Sequence, residues 1–120
     1  MNWKKDFIST CSNHRLFSMP CFGRTISLHN YILARTFLSY EKGRVFAHTT
    51  VYPGSAIGYH LHQNESEVYY ILSGKAKFND NGTIVNVQAG DVTFTGAGEG
   101  HGIEALGDVP VEMIALILYK

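Results

Sequence analysis

His60 and His62 stand two positions apart, with Glu67 five positions further on and His101 another 34 beyond that. A strand sends successive side chains to opposite faces, so these two histidines point the same way with Leu61 between them. Two imidazoles on one face, joined by a carboxylate and a third imidazole, make a donor set for a borderline divalent cation. Held at about 2.0–2.2 Å by three neutral imidazoles and a single anion, such an ion keeps a net positive charge. Iron, manganese or nickel in that cage takes five or six ligands and leaves positions for water, substrate or O₂. Zinc fills it as a four-coordinate ion or adds one water. The plainer alternative, polar histidines on a solvent-facing strand, does not account for the surrounding glycines.

Gly54 stands before five residues and then His60-Leu61-His62; four residues lead to Glu67 and six more to Gly74. A second block runs from Gly90 through Gly96-Ala97-Gly98 to His101. Both blocks resemble the two motifs of the cupin superfamily: Gly, five residues, His-x-His, three or four residues, Glu, six residues, Gly; and Gly, five residues, Pro-x-Gly, two residues, His, three residues, Asn. The first fits without a gap. In the second, Gly96 stands where the family has proline and Ala105 where it has asparagine. The resemblance covers about residues 45–118 and implies an all-β double-stranded β-helix (a jelly-roll barrel). It also implies one divalent metal ion per chain (Fe, Mn, Zn or Ni) on His60, His62, Glu67 and His101. Parity alone allows either Glu65 or Glu67 as the carboxylate; the family spacing selects Glu67 and leaves Glu65 exposed.

The elements that must position these residues read as short apolar or alternating runs separated by turn residues. Strands are expected near 24–29, 31–40, 44–52, 58–62, 67–73, 75–80, 83–88, 91–95, 100–106 and 111–119. Asn81-Gly82 is a hairpin signal, since a type I′ turn needs positive φ at both central residues. Residues 1–23 show weak periodicity and carry Pro20 and Gly23, so they read as an arm or short helix before a single barrel domain of residues 24–120. Alternation puts His60, His62, Glu67, Tyr69, Ile71, Ala76 and Phe78 inward, and Tyr59, Leu61, Val68, Tyr70, Leu72, Lys75 and Lys77 outward. Phe94 and Ile103 are expected to add apolar wall to the pocket. Met113 to Tyr119 is an almost unbroken apolar run, which implies burial on both faces. Something must then cover the outside, and a homodimer is the expectation.

At 120 residues with 45% hydrophobic content, the chain is long enough for one domain with a real core. Ten basic residues balance ten acidic ones, with no electrostatic footprint for nucleic acid or an anionic membrane. Cys11 and Cys21 are too few for a disulfide framework and read as ordinary thiols. Polar and charged residues interrupt every apolar stretch near the N-terminus, so the chain reads as soluble and cytoplasmic.

Tyr69 shares the face of Glu67 and is the first candidate for proton transfer. His48, alternating with Thr50 and Tyr52, is the second, against a structural hydrogen-bonded role. Arg35, between Leu33 and Phe37, is the candidate to meet a substrate carboxylate, with Arg44 behind it. Glu99 and Glu104 flank His101 as solvated or supporting groups. Gly96-x-Gly98-x-Gly100 lacks the strand-to-helix context of a dinucleotide site. These residues point to a metal-dependent enzyme acting on a small chelating organic molecule, an oxygenase or a related lyase or isomerase. The alternative is a small-molecule binding or sensing module; a purely structural barrel fits the intact ligand set least.

Overall fold

In the computed structural model, residues 14–21 and 24–32 are described by their backbone and residues 42–120 together with their side chains. Ten strands run through the described residues: β1 (His14–Cys21), β2 (Arg24–Ile32), β3 (Gly43–Val51), β4 (Ala56–Leu61), β5 (Glu65–Ser73), β6 (Lys75–Asp80), β7 (Thr83–Gln88), β8 (Val92–Thr95), β9 (Gly100–Leu106) and β10 (Val111–Tyr119). They form two antiparallel sheets, one ordered β1-β2-β3-β10-β5-β8 and the other β4-β9-β6-β7. The chain crosses between them repeatedly, so β4 and β5 are sequence neighbours on opposite sheets. That is the double-stranded β-helix expected from the motifs. Among the described residues no helix is long and apolar enough to cross a membrane.

Strand parity sorts side chains as the sequence implies. On β5, Glu67, Tyr69 and Ile71 are buried, while Tyr70 and Leu72 are exposed. On β6, Ala76 and Phe78 point into the core between Lys75 and Lys77, which do not. Val51, Ile71, Phe78, Ile103, Val111 and Met113 dominate the space between the sheets. β10 shows a milder pattern than its apolar run suggests. Val111, Met113, Ala115 and Ile117 are buried, and the residues between them are half-buried. Its place inside the six-stranded sheet, flanked by β3 and β5, shelters that outer face from both sides.

The N-terminal region departs from expectation. Residues 14–21 form a strand, not a helix, and pair with β2 from His14↔Tyr31 to Cys21↔Arg24. Pro20 reads as a breaker in sequence, yet β1 is an edge strand, where one side of the ladder has no partner to lose. The strands expected at 24–29 and 31–40 are not separated at residue 30: Asn30 pairs with Arg15 and Thr49 inside a continuous β2. Residues 33–40, including Arg35, lie outside the described residues, as does Cys11.

Asn81 and Gly82 both take positive φ (49° and 101°), and Asp80 pairs with Thr83 across them, as the hairpin signal requires. Gly74 also has positive φ (86°), but a Cβ there would run into the backbone carbonyl of Pro110. At Gly82 the same Cβ meets open space. Gly82→Ala should therefore cost about 1 kcal/mol from backbone strain alone. Gly74→Ala should cost roughly 2 kcal/mol or more, because the clash is with main chain that cannot rotate away. Urea unfolding of both variants checks the order; equal losses would contradict it.

Candidate metal centre

β4 and β9 place the first two imidazoles. His60 and His101 are direct cross-strand partners and so share the inward face. A bulge between Ile57 and His60 bends β4 here, and His60 Nδ1 donates to the Gly58 carbonyl within it at 2.7 Å. His62 lies just past β4 and is pinned by its backbone, its N–H donating to Glu99 O (2.9 Å) and its carbonyl accepting from Gly98 N (2.7 Å). Glu67 comes across from β5 on the other sheet, beside its cross-strand partner Thr95.

The turn that holds His62 explains one departure from the motif. Gly96 N–H donates to the Glu99 carboxylate at 3.0 Å, a bond that proline could not make. The other departure, Ala105, is buried and faces Ala76. An amide at that position would need a partner inside the apolar core.

Four donor atoms converge. His60 Nε2 is 3.1 Å from His62 Nε2, which is 3.0 Å from His101 Nε2. Glu67 Oε1 lies 2.9 Å from His101 Nε2 and 3.2 Å from His62 Nε2. His62, Glu67 and His101 are buried, and His60 is half-buried. His60 must donate through Nδ1, because a carbonyl only accepts; neutral His60 therefore turns a bare Nε2 lone pair to the centre. His62 Nδ1 sits 2.8 Å from the Glu65 carboxylate, which fixes the same tautomer there. Two bare lone pairs at 3.1 Å repel each other unless a cation lies between them, so these residues fit a divalent ion.

Glu65 and Thr95 are the supporting residues that sequence reasoning missed. Glu65 was expected to be exposed and idle. Instead its two oxygens accept from Arg44 Nε and Nη2, both at 2.8 Å, while Oε1 also takes the His62 Nδ1 proton. The bidentate guanidinium, with help from His62, holds the Glu65 carboxyl down at about 2. Thr95 Oγ1 lies 2.7 Å from His101 Nδ1, so the Nδ1 atoms of all three histidines are engaged on the side away from the centre. The signal for Thr95 was available as parity, since it pairs with Glu67; the pairing itself was not visible.

Tyr69 lies where expected. Its ring stacks on His101 (centroids 5.0 Å, planes 17° apart), and its hydroxyl is 3.4 Å from His101 Nε2. Burial, followed by the charge of Glu67, pushes the phenol well above its ordinary range, so it stays protonated and can only donate near that charge. His48 is not brought to the donors. It pairs with Ile114 on the outward face of β3 and sits 3.8 Å from Glu112. Ile103 is in the core, but Phe94 is 62% exposed: Thr95 takes the inward position on β8, so its neighbour must point out. Arg44 binds Glu65 and does not face the metal donors with a free guanidinium.

Replacing Glu65 by Gln keeps an acceptor but removes the charge behind His62 Nδ1, and metal affinity should fall about tenfold to a hundredfold in chelator competition. A change below twofold would remove Glu65 from the account. Burial lowers His60 below its ordinary 6.5, so protons compete weakly with metal near neutrality and release should set in around pH 5–6. Retention at pH 4 would contradict that competition. In metal-free protein the unfolded chain binds the His60 proton first, so thermal stability should drop as pH falls below 6.5. Glu65, whose pKa is depressed, should add a second loss between 4.5 and about 2.

Comparison with known proteins agrees with this geometry. Residues 47–117 match the family described as the cupin domain. The oxalate-binding protein of Thermotoga maritima is 47% identical over 79 residues, 66% of this chain and 65% of that protein. Oxalate decarboxylase OxdC of Bacillus subtilis is 33% identical over 91 residues, 72% of this chain and 24% of that protein. The chain thus spans less than two thirds of either relative. A crystal structure described as a predicted oxalate decarboxylase from Thermotoga maritima superposes with a TM-score of 0.78 at 35% identity, covering 92% of this chain and 96% of that one. KdgF from Halomonas sp. shares the fold at 18% identity (TM-score 0.67; 78% and 79% covered). With both motifs, the two-sheet barrel and the converged donor set in place, the chain belongs to the cupin-domain family.

Proposed function

We propose that this barrel binds one divalent metal ion and, through it, a small dicarboxylate of the oxalate class. The observation that carries the proposal is the convergence of three imidazole nitrogens and one carboxylate oxygen, all within 4.8 Å of one another and four of the six pairs at 2.9–3.2 Å. Four protein donors would leave a six-coordinate ion two positions, the number a chelating dicarboxylate fills. The bound ion would supply Lewis acidity and a pair of coordination sites. Charge supports the same ligand. Glu67 contributes the single negative charge among the four donors, and Arg44 cancels Glu65, so the loaded site is positive and attracts an anion. The relatives described as oxalate-binding and oxalate-decarboxylating proteins make oxalate the first ligand to test.

Binding without turnover is the reading that this chain's own groups favour. Glu65 is tied to Arg44 and His62, the Glu99 side chain caps Gly96, and Tyr69 is held protonated. A proton-transferring partner for C–C cleavage is therefore not evident among the described residues at the donors. Tyr69 could orient a ligand oxygen or donate to it, and in the lyase reading it is the residue that would place a proton.

Calorimetric titration of manganese-loaded protein should show oxalate binding at one per chain, at least tenfold tighter than acetate, and no binding to metal-free protein. Oxalate binding that survives metal removal would overturn the proposal. Formate and CO₂ appearing with multiple turnovers would decide for the lyase. Tyr69→Phe should then lower turnover more than binding.

A further inference from the structure

The three imidazoles at the centre are backed by different groups. His60 Nδ1 meets the Gly58 carbonyl, His101 Nδ1 the Thr95 hydroxyl, and His62 Nδ1 the Glu65 carboxylate. The last of these is an anion, and it does not stand alone. Arg44 Nε and Nη2 each reach one Glu65 oxygen at 2.8 Å, a planar fork matched to a planar carboxylate. β3 supplies none of the four donors, and Arg44 ties that strand to them.

The end of β10 fixes the backbone on both sides of this pair. Tyr119 N–H donates to the Lys42 carbonyl (3.0 Å), two residues before Arg44. Lys120 N–H donates to the Asn64 carbonyl (2.8 Å), one residue before Glu65. Asn64 takes a left-handed conformation (φ 59°), which turns the chain sharply between His62 and Glu65. The two side chains differ in depth, with Arg44 49% exposed and Glu65 12%. Glu65 is therefore a nearly buried anion compensated from the surface. Without the guanidinium, one neutral imidazole N–H would be left to hold it, and turning toward water would be favoured. His62 Nδ1 would then lose the acceptor that keeps its proton there, and a neutral ring protonated at Nε2 cannot ligate through that atom.

We propose, given the metal-binding reading above, that Arg44 is a positioning residue for the metal, acting through Glu65 to hold His62 with a bare Nε2 toward the centre. Charge alone gives the opposite sign. A guanidinium near a cation site repels the cation, so its removal should tighten binding on Coulomb grounds. Positioning requires that its removal loosen binding.

In chelator competition with Mn²⁺, Arg44→Gln should weaken binding about fivefold or more. Lys42→Gln, the same loss of charge two positions away, should not weaken it. Arg44→Lys should restore only part of the loss, because an ammonium cannot engage both oxygens as the fork does. In a Glu65→Gln background, Arg44→Gln should change affinity by less than about twofold, since the carboxylate it holds is gone. Unchanged or tighter binding in Arg44→Gln overturns the proposal, and so does a full loss that persists in the Glu65→Gln background. A second readout needs no metal. Proton–nitrogen correlation spectra of the histidine rings in metal-free protein at about pH 8 should show His62 protonated at Nδ1 in wild type and mixed between tautomers in Arg44→Gln. His60 and His101 should be unchanged. A His62 ring identical in the two proteins overturns the proposal. Wild-type protein that takes up no Mn²⁺ would instead refute the metal reading, and the ring spectra would still decide the role of Arg44.

Discussion

The structure depends on one unfavourable contact that a cation would relieve. Nε2 atoms of three imidazoles and an oxygen of Glu67 are held within 2.9–3.2 Å of their neighbours, in a place where His62, Glu67 and His101 are out of water. Bare lone pairs do not pack together unaided. The groups behind them, the Gly58 carbonyl, Glu65 and Thr95, occupy every Nδ1, so the imidazoles cannot relax by turning those nitrogens to the centre without losing those bonds. Their orientation is thus set in advance of any ligand, which is how a metal site gains affinity without reorganising on binding.

Holding that arrangement requires both sheets. Three imidazoles come from β4, the turn after it and β9, and the carboxylate comes from β5 across the barrel. Along β5 the inward positions pass from Ile71 through Tyr69 to Glu67, so the apolar core gives way to the polar site within one strand. Tyr69 joins the two regions. Its ring packs on Phe78 and on His101, and its hydroxyl ends at the donors. The Glu67 oxygen faces imidazole nitrogens at 2.9 and 3.2 Å, so a cation among the four donors is what would offset its burial.

How much of this was legible in the sequence follows from what local patterns encode. The four donors were readable because alternation and motif spacing are local, and strand parity then placed Tyr69 and Ile71 correctly. Glu65 was misread because its partner, Arg44, comes from β3, twenty-one residues away; no spacing rule signals a pair made by barrel closure. Phe94 was misread for a related reason: four residues give too short a run for parity to be set without knowing which of its neighbours meets His101. Whether His48 lined the pocket or held a structural place stayed open in the sequence, because alternation fixes which residues share a face but not which face is inward; it sits beside Glu112, away from the donors. β1 was lost to Pro20, whose cost in a ladder vanishes at a sheet edge.

The most direct measurement of the central claim is X-ray absorption at the metal edge of protein loaded with one equivalent of manganese. The account predicts a first shell of nitrogen and oxygen near about 2.1–2.2 Å, with outer-shell scattering from three imidazole rings per metal. A spectrum with fewer than two imidazoles, or an ion still surrounded by water alone, would show that the four side chains do not act as one site.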